Sequence, residues 1–349
     1  MAIDEPLTPR APSVSVVIVT FQSADTLGRC LQALKAQTWT DYEVLIADNA
    51  STDGAPQAAA KADPSLRLLP MGANLGFAAA NNRAAQVATG RWLVLLNPDA
   101  YPEPDWLEQL LACAAAHPEA RCFTSRQLMA KDPSRLDGLG DAMTIIGFPF
   151  RGGYGQPDPG PGGAAHEVFS PCGAAMMMDR ALFLSLGGFD EAFFCYCEDV
   201  DLGYRLQLLG EAVIAAPAAC VLHEGSASTG GRRSDFSLYY GARNRLWTFV
   251  KNTPGLLFWP TLPFHAGATA ALWLAAVSRG EGRALGAGVV AGLGGLGDIW
   301  RRRRLLQAQR TVPAKAIWRL MVWNPLAAAR RDAPPALPLH PQTGPSSAQ

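Results

Sequence analysis

Trp92-Leu93-Val94-Leu95-Leu96-Asn97-Pro98-Asp99 is an apolar run of strand length that stops at a polar turn built on a proline. A run without apolar/polar alternation reads as a strand covered on both faces, as in a parallel sheet. Upstream, residues 14–19, 42–47 and 66–69 share this branched or aliphatic character, and helical stretches separate most of them. In residues 26–37, Leu27, Leu31 and Leu34 share one helical face. Residues 74–88 are rich in alanine and read as helical from about Ala78. The first part of the chain, residues 13–100, is therefore a wound α/β unit.

In such a sheet ligands bind beyond the carboxyl ends of the strands. Thr20 and Phe21 follow the first strand, Asp48-Asn49-Ala50-Ser51-Thr52-Asp53-Gly54 follows the second, and Asn97-Pro98-Asp99 follows the fourth. Each segment alone reads more readily as a turn or a helix cap than as a site. Their coincidence at one sheet edge favours a binding site. Asp48 can accept from a base imide N–H or a ribose hydroxyl. Asp99 suits a hard divalent cation neutralising a diphosphate, since such an ion needs few protein carboxylates.

Further along, residues 106–116 and 199–209 read as helices, and residues 169–179 and 213–216 as strands. Residues 131–167 are rich in Gly, Pro and Asp without sustained periodicity, and read as one long functional loop. Residues 239–252 form an amphipathic helix carrying Arg243 and Arg245. Residues 256–277 carry no formal charge but are interrupted by Pro260, Pro263 and His265; residues 284–299 are dominated by Gly and Ala and lead into arginines 301–304.

The 349 residues, 49% of them hydrophobic, suffice for a large core. Thirty basic and thirty acidic side chains cancel, which argues against a nucleic-acid partner. Seven cysteines without a CxxC pair suggest neither a disulfide framework nor a zinc ribbon. Residues 1–12 hold acids and prolines where a secretory signal would be basic and then apolar. A cytoplasmic protein is expected.

Val-Ser-Val-Val-Ile-Val-Thr-Phe (14–21), Asp-Asn-Ala-Ser-Thr-Asp-Gly (48–54), Asn-Leu-Gly-Phe (74–77) and Leu-Leu-Asn-Pro-Asp (95–99), in this order, resemble the family 2 glycosyltransferases, in particular the rhamnosyltransferase-like members. The resemblance implies an inverting, non-processive enzyme of the GT-A fold: a wound, mostly parallel central sheet flanked by helices, here with a helical C-terminal appendage. It implies a glycosyltransferase domain at 13–252, with the nucleotide in 13–100 and the acceptor and base in 101–252. An apolar helical region at 253–328 and a disordered tail at 329–349 would follow.

The resemblance places a dTDP- or UDP-sugar donor on Thr20, Phe21, Asp48, Asn49, Ser51, Asp53, Asn74, Gly76, Phe77, Asn81, Asn97 and Asp99. It places the catalytic base on Asp199, assisted by Glu198, and a divalent cation, Mg2+ or Mn2+, on Asp99 and His223. Cys172, Gly173, Glu198 and Arg243 are candidates for a glycolipid or polysaccharide acceptor. Asp201 reads alternatively as a helix-cap residue. Asn97 stands where a full Asp-x-Asp motif has its first carboxylate, so looser metal binding is expected.

The aromatic residues and arginines of the C-terminal region suit a structure lying on an anionic membrane at the inner face of the plasma membrane, while core helices of a lid remain the competing reading. Two other functions compete. A sugar nucleotidyltransferase would need a Gly-rich basic loop after the first strand, where the chain has Thr20-Phe21-Gln22-Ser23; a non-catalytic scaffold would not need Asp48, Asp99, Asp199 and His223 together.

Overall fold

The computed structural model describes residues 11–225, 233–324 and 330. Residues 1–12, expected from the sequence to be a flexible N-terminus, and the tail expected at 329–349 fall almost entirely outside them. Val14–Thr20 (β1), Leu27–Lys35 (α1), Tyr42–Asp48 (β2), Ala55–Ala62 (α2), Arg67–Pro70 (β3), Gly76–Val87 (α3) and Trp92–Leu96 (β4) alternate as the apolar runs require. The chain continues through Ala100–Pro102 (β5), Trp106–Ala116 (α4), Cys122–Met129 (β6), Asp132–Gly138 (β7), Asp141–Met143 (β8), Pro149–Arg151 (β9), His166–Val168 (β10), Ala175–Asp179 (β11), Arg180–Ser185 (α5), Glu198–Leu208 (α6) and Val213–His223 (β12). It ends in Asp235–Asn252 (α7), Gly255–Val277 (α8), Gly282–Gly294 (α9), Leu296–Gln309 (α10) and Ala314–Leu320 (α11).

The central sheet has the order β10-β12-β6-β11-β4-β1-β2-β3. From β4 to β3 every pair is parallel, whereas β11 runs against both β4 and β6. β1 shows why both faces must be covered. Val14, Val16 and Ile18 pack into one buried layer with α1 and α4, while Val17 and Val19 enter the layer shared with α3. The strand is buried at every position.

Five expectations change. Residues 131–167 are not one loop: β7 pairs with β6 and β8 with β9, and their short, polar stretches leave no apolar period to read. The strand expected at residues 169–179 begins at Ala175, and the one expected at residues 213–216 runs on to His223 past a bulge between Ala216 and Cys220. α8 continues through Pro260 and Pro263. The Gly/Ala stretch divides at Gly295 into α9 and α10.

Among the described residues no helix is long and apolar enough to cross a membrane. α9 and α10 pack on α7, and α10 is pinned there by polar contacts: Arg303 Nη1 donates to the carbonyls of Val250 and Thr253, both at 2.6 Å, and Arg302 pairs with Asp190 at 2.6 Å.

Candidate active site

Beyond the carboxyl ends of β1, β2 and β4 lies a cavity of about 790 Å³, within the usual range of small-molecule sites. Of the residues singled out from the sequence, Phe21, Asn49, Asn74, Gly76, Phe77, Asn97, Asp99, Cys172, Gly173, Glu198, Asp199 and His223 line it. The others stand behind this wall or away from it.

Asp48 is the hub of the supporting layer. It accepts from Thr20 Oγ1 at 3.2 Å, from the Ser51 N–H at 3.1 Å and from Gln57 Nε2 at 3.2 Å. Ser51 Oγ in turn accepts from the Gln22 N–H, and Asp53 accepts from the Ala24 N–H at 2.9 Å, so the β1 and β2 loops are sewn together. Asn49 bridges to the start of α3 by donating to the Gly76 carbonyl and accepting from the Leu75 N–H. Gly76 adopts φ +83°, and a Cβ there would come within 2.5 Å of the Phe194 ring and carbonyl, so only glycine permits this approach. Asn81 faces inward along α3, donating to the Phe77 carbonyl at 2.9 Å.

A second cluster forms where β5 pairs with β12, which sets Ala100 opposite His223 and brings Asp99 to the histidine. His223 Nε2 lies 3.4 Å from Asp99 Oδ1, and Nδ1 lies 2.7 Å from Asp137 Oδ2. Burial alone would lower the imidazole pKa, but hydrogen bonds to Asp137 and Asp99 carry it up to about 9. Asp137 is further held by Arg151. Among the described residues no group of three or more His, Cys, Asp and Glu could hold an ion unaided. Asp99 and His223, with Asp137 orienting the histidine from behind, nevertheless fit a hard ion that takes its remaining ligands from phosphate oxygens and water.

The third cluster sits at the start of α6, after a turn in which Phe194, Tyr196 and Cys197 have φ of 64°, 70° and 63°. Such left-handed, non-glycine residues persist where surroundings fix them. Here Asn244 of α7 donates to the carbonyls of Phe193, Cys195 and Tyr196 at 2.7–2.9 Å. The turn delivers Glu198 and Asp199. Asp199 accepts from the Gly173 N–H at 2.9 Å and from the Val200 N–H at 2.8 Å. Burial raises its pKa, while those N–H groups and Arg151 pull it back. Burial, reinforced by the Asp199 charge, drives Glu198 well above the ordinary carboxylate range, and its Oε2 is buried without a hydrogen bond. Both carboxyls of the pair are thus raised, Glu198 the further, with Asp199 on the cavity wall.

Two residues fall elsewhere. Asp201 is no helix cap: its side chain meets Lys251 at 2.9 Å, Arg205 at 2.9 Å and Asn252 at 2.8 Å, and these partners outweigh its burial and lower its pKa. Arg243 does not line the cavity but donates to the Ala192 and Phe193 carbonyls, clamping the segment ahead of the strained turn. The cavity wall instead includes Arg245, Asp137, Asp141, Arg151 and Tyr154. Of these, the sequence points to Arg245 alone, as part of an amphipathic helix suited to an anionic surface.

Residues 15–152 match the family model described as Glycosyl transferase family 2. Over 241 residues the chain is 34% identical to N-acetylglucosaminyl-diphospho-decaprenol L-rhamnosyltransferase of Mycobacterium tuberculosis, covering 62% of this chain and 77% of that one. An O-antigen biosynthesis protein of Myxococcus xanthus is 32% identical over 254 residues, covering 70% of this chain and 20% of its own length. Among solved structures, GalNAc-T7 with UDP, GalNAc and Mn2+ superposes with a TM-score of 0.54 at 16% identity, over 70% of this chain and 51% of that one. The mannosyltransferase of Pyrobaculum calidifontis in complex with GDP-Man and Mn2+ gives 0.50 at 20% identity, over 93% and 88%. At these identities the likeness is one of fold, the GT-A fold.

Proposed function

Because the chain belongs to glycosyl transferase family 2, we propose that it moves a single sugar, by inversion, from a dTDP- or UDP-sugar to a hydroxyl of a lipid-linked glycan acceptor. The observation that carries this reading is Asp199, a carboxylate of raised basicity anchored by two backbone N–H groups on the wall of the cavity. Asp199 takes the acceptor hydroxyl proton as that oxygen attacks the anomeric carbon, and the bond to the nucleoside diphosphate breaks on the opposite face. Glu198, whose carboxyl burial and the neighbouring Asp199 charge push well above the ordinary range, stands beside it. Phe21, Asn49, Asn74, Gly76 and Phe77 receive the nucleotide, with Asp48 fixing the loops behind them. A bound Mg2+ or Mn2+, held by Asp99 and His223, would neutralise the donor diphosphate.

Rhamnose is the proposed sugar and a polyprenyl-diphosphate sugar the proposed acceptor, by likeness to the mycobacterial relative. Such an acceptor requires work at a membrane surface. Trp259, Phe264, Leu293 and Leu305 are exposed on α8, α9 and α10, with Arg301 and Arg304 on α10, a combination suited to the anionic inner face of the plasma membrane.

A thermal-shift screen of dTDP- and UDP-sugars tests the donor and the ion together, because a ligand that binds only the folded state raises Tm. One donor should stabilise the protein with Mg2+ or Mn2+ and lose most of that effect in EDTA or in Asp99→Ala. An equal shift in EDTA would remove the ion from Asp99.

A further inference from the structure

The guanidinium of Arg245, which enters the same cavity from α7, lies over the Phe148 ring, 4.6 Å from its centre. Its Nε and Nη2 are buried without a hydrogen-bond partner. Other arginines of this region are matched: Arg151 with Asp137, Arg205 with Asp201, Arg302 with Asp190. Among the described residues no carboxylate forms an ion pair with Arg245. Phe148 is apolar, and burial keeps Cys197 a neutral thiol far above its ordinary pKa. His265, stacked on Phe249 and bonded through Nδ1 to the Ile146 carbonyl, is pushed down by burial to about 4 and is also neutral. Burial disfavours the Arg245 charge too, with no acid among the groups acting on it. Desolvating an ion without a partner is costly, and the missing partner is an anion.

We propose that Arg245 binds a phosphate of the acceptor, the group that links the acceptor sugar to its carrier. This rests on the glycosyltransferase reading above. Nε and Nη2 form the guanidinium edge that pairs with two phosphate oxygens at once, and the flexible stem can turn that edge into the cavity. Asn244, the residue before Arg245, bonds the carbonyls of Cys195 and Tyr196, so Arg245 stands beside the turn that delivers Asp199, whereas the Asp99–His223–Asp137 cluster is assigned to the donor diphosphate. A sugar whose hydroxyl meets Asp199 thus carries its phosphate toward Arg245.

The test compares two synthetic acceptors with the same sugar and the same short alkyl chain, one with a diphosphate between them and one without, using the full chain. The preference for the diphosphate, read as a ratio of kcat/KM, should fall about 10- to 100-fold in Arg245→Gln through the acceptor KM, and recover in part in Arg245→Lys. A rise in donor KM with that preference intact would overturn the proposal, as would equal losses on both acceptors. A second measurement is independent of which sugar is accepted. In EDTA, where no ion bridges to Asp99 and His223, inorganic pyrophosphate should raise the Tm of the unmodified protein and not of Arg245→Gln. That difference with no transfer to either acceptor refutes the acceptor reading while upholding Arg245 as the anion site; equal shifts in both proteins refute the site.

Discussion

The two walls of the cavity are built on opposite principles. On the nucleotide side, polar groups answer one another: Asp48, Asp53, Asn49 and Thr20 all hold main-chain or side-chain partners. On the side formed by α6 and α7, a left-handed turn is clamped by Asn244, a buried Glu198 stands beside a half-buried Asp199, and Nε and Nη2 of Arg245 have no partner. The first wall is a preformed cradle that gains little from any one bond. The second holds strain and uncompensated charge where protons and acceptor groups are to be handled, so single changes there should count most.

The largest effect is expected for Asp199→Asn, which keeps the shape of the side chain and removes the base. Transfer should fall about 100- to 10,000-fold while donor binding, measured by calorimetry, stays close to that of the unmodified protein. Parallel losses in both would dissolve the distinction between the walls. Next comes Asp201→Ala, which leaves Lys251 and Arg205 buried beside a hole; a loss of about 3 kcal/mol in urea unfolding is expected, and a loss below about 1 kcal/mol would mean water reaches that network.

Glu198→Gln should stabilise. Because the folded-state pKa of Glu198 is raised, the native protein holds a proton that the unfolded chain has released, and stability falls as pH rises from the ordinary glutamate value through the raised one. The amide escapes this. Its Tm advantage should therefore be absent in acid and grow to a few degrees towards neutral pH; a pH-independent difference would place the cause in packing. The smallest effect belongs to the cradle. Asp53→Ala removes bonds to Ala24 and Ala55 at an exposed site and should cost about 1 kcal/mol or less, with donor affinity reduced only slightly.

The same contrast explains what the sequence disclosed. β1, β2 and β4 declare themselves through unbroken branched runs, and the cradle residues follow directly as the polar residues at their ends. Asp137 could not be found that way. It lies on the polar edge strand β7, and only the pairing of β6 with both β7 and β12 brings it to His223. Arg243 and Arg245 are two residues apart, which on a helix turns them to different faces, and nothing in the sequence fixes the rotation of α7 about its axis. α8 was obscured by Pro260 and Pro263, which the helix accommodates within its first turns, where Thr261 Oγ1 donates to the Leu257 carbonyl at 2.7 Å.

The polar contacts that pin α10 to α7 bear on how the molecule can be dissected. Cutting the chain after Asn252 looks natural from composition, yet it would strip Asp190 of Arg302 and the Val250 carbonyl of Arg303. Asp190 also meets Lys251 at 2.6 Å, and Lys251 continues to Asp201 on the helix that begins with Glu198 and Asp199. A shortened protein that ignored vesicles or failed to turn over would thus report a damaged catalytic helix as readily as a lost membrane contact. Replacing Trp259 or Phe264 at the surface of the intact chain separates the two.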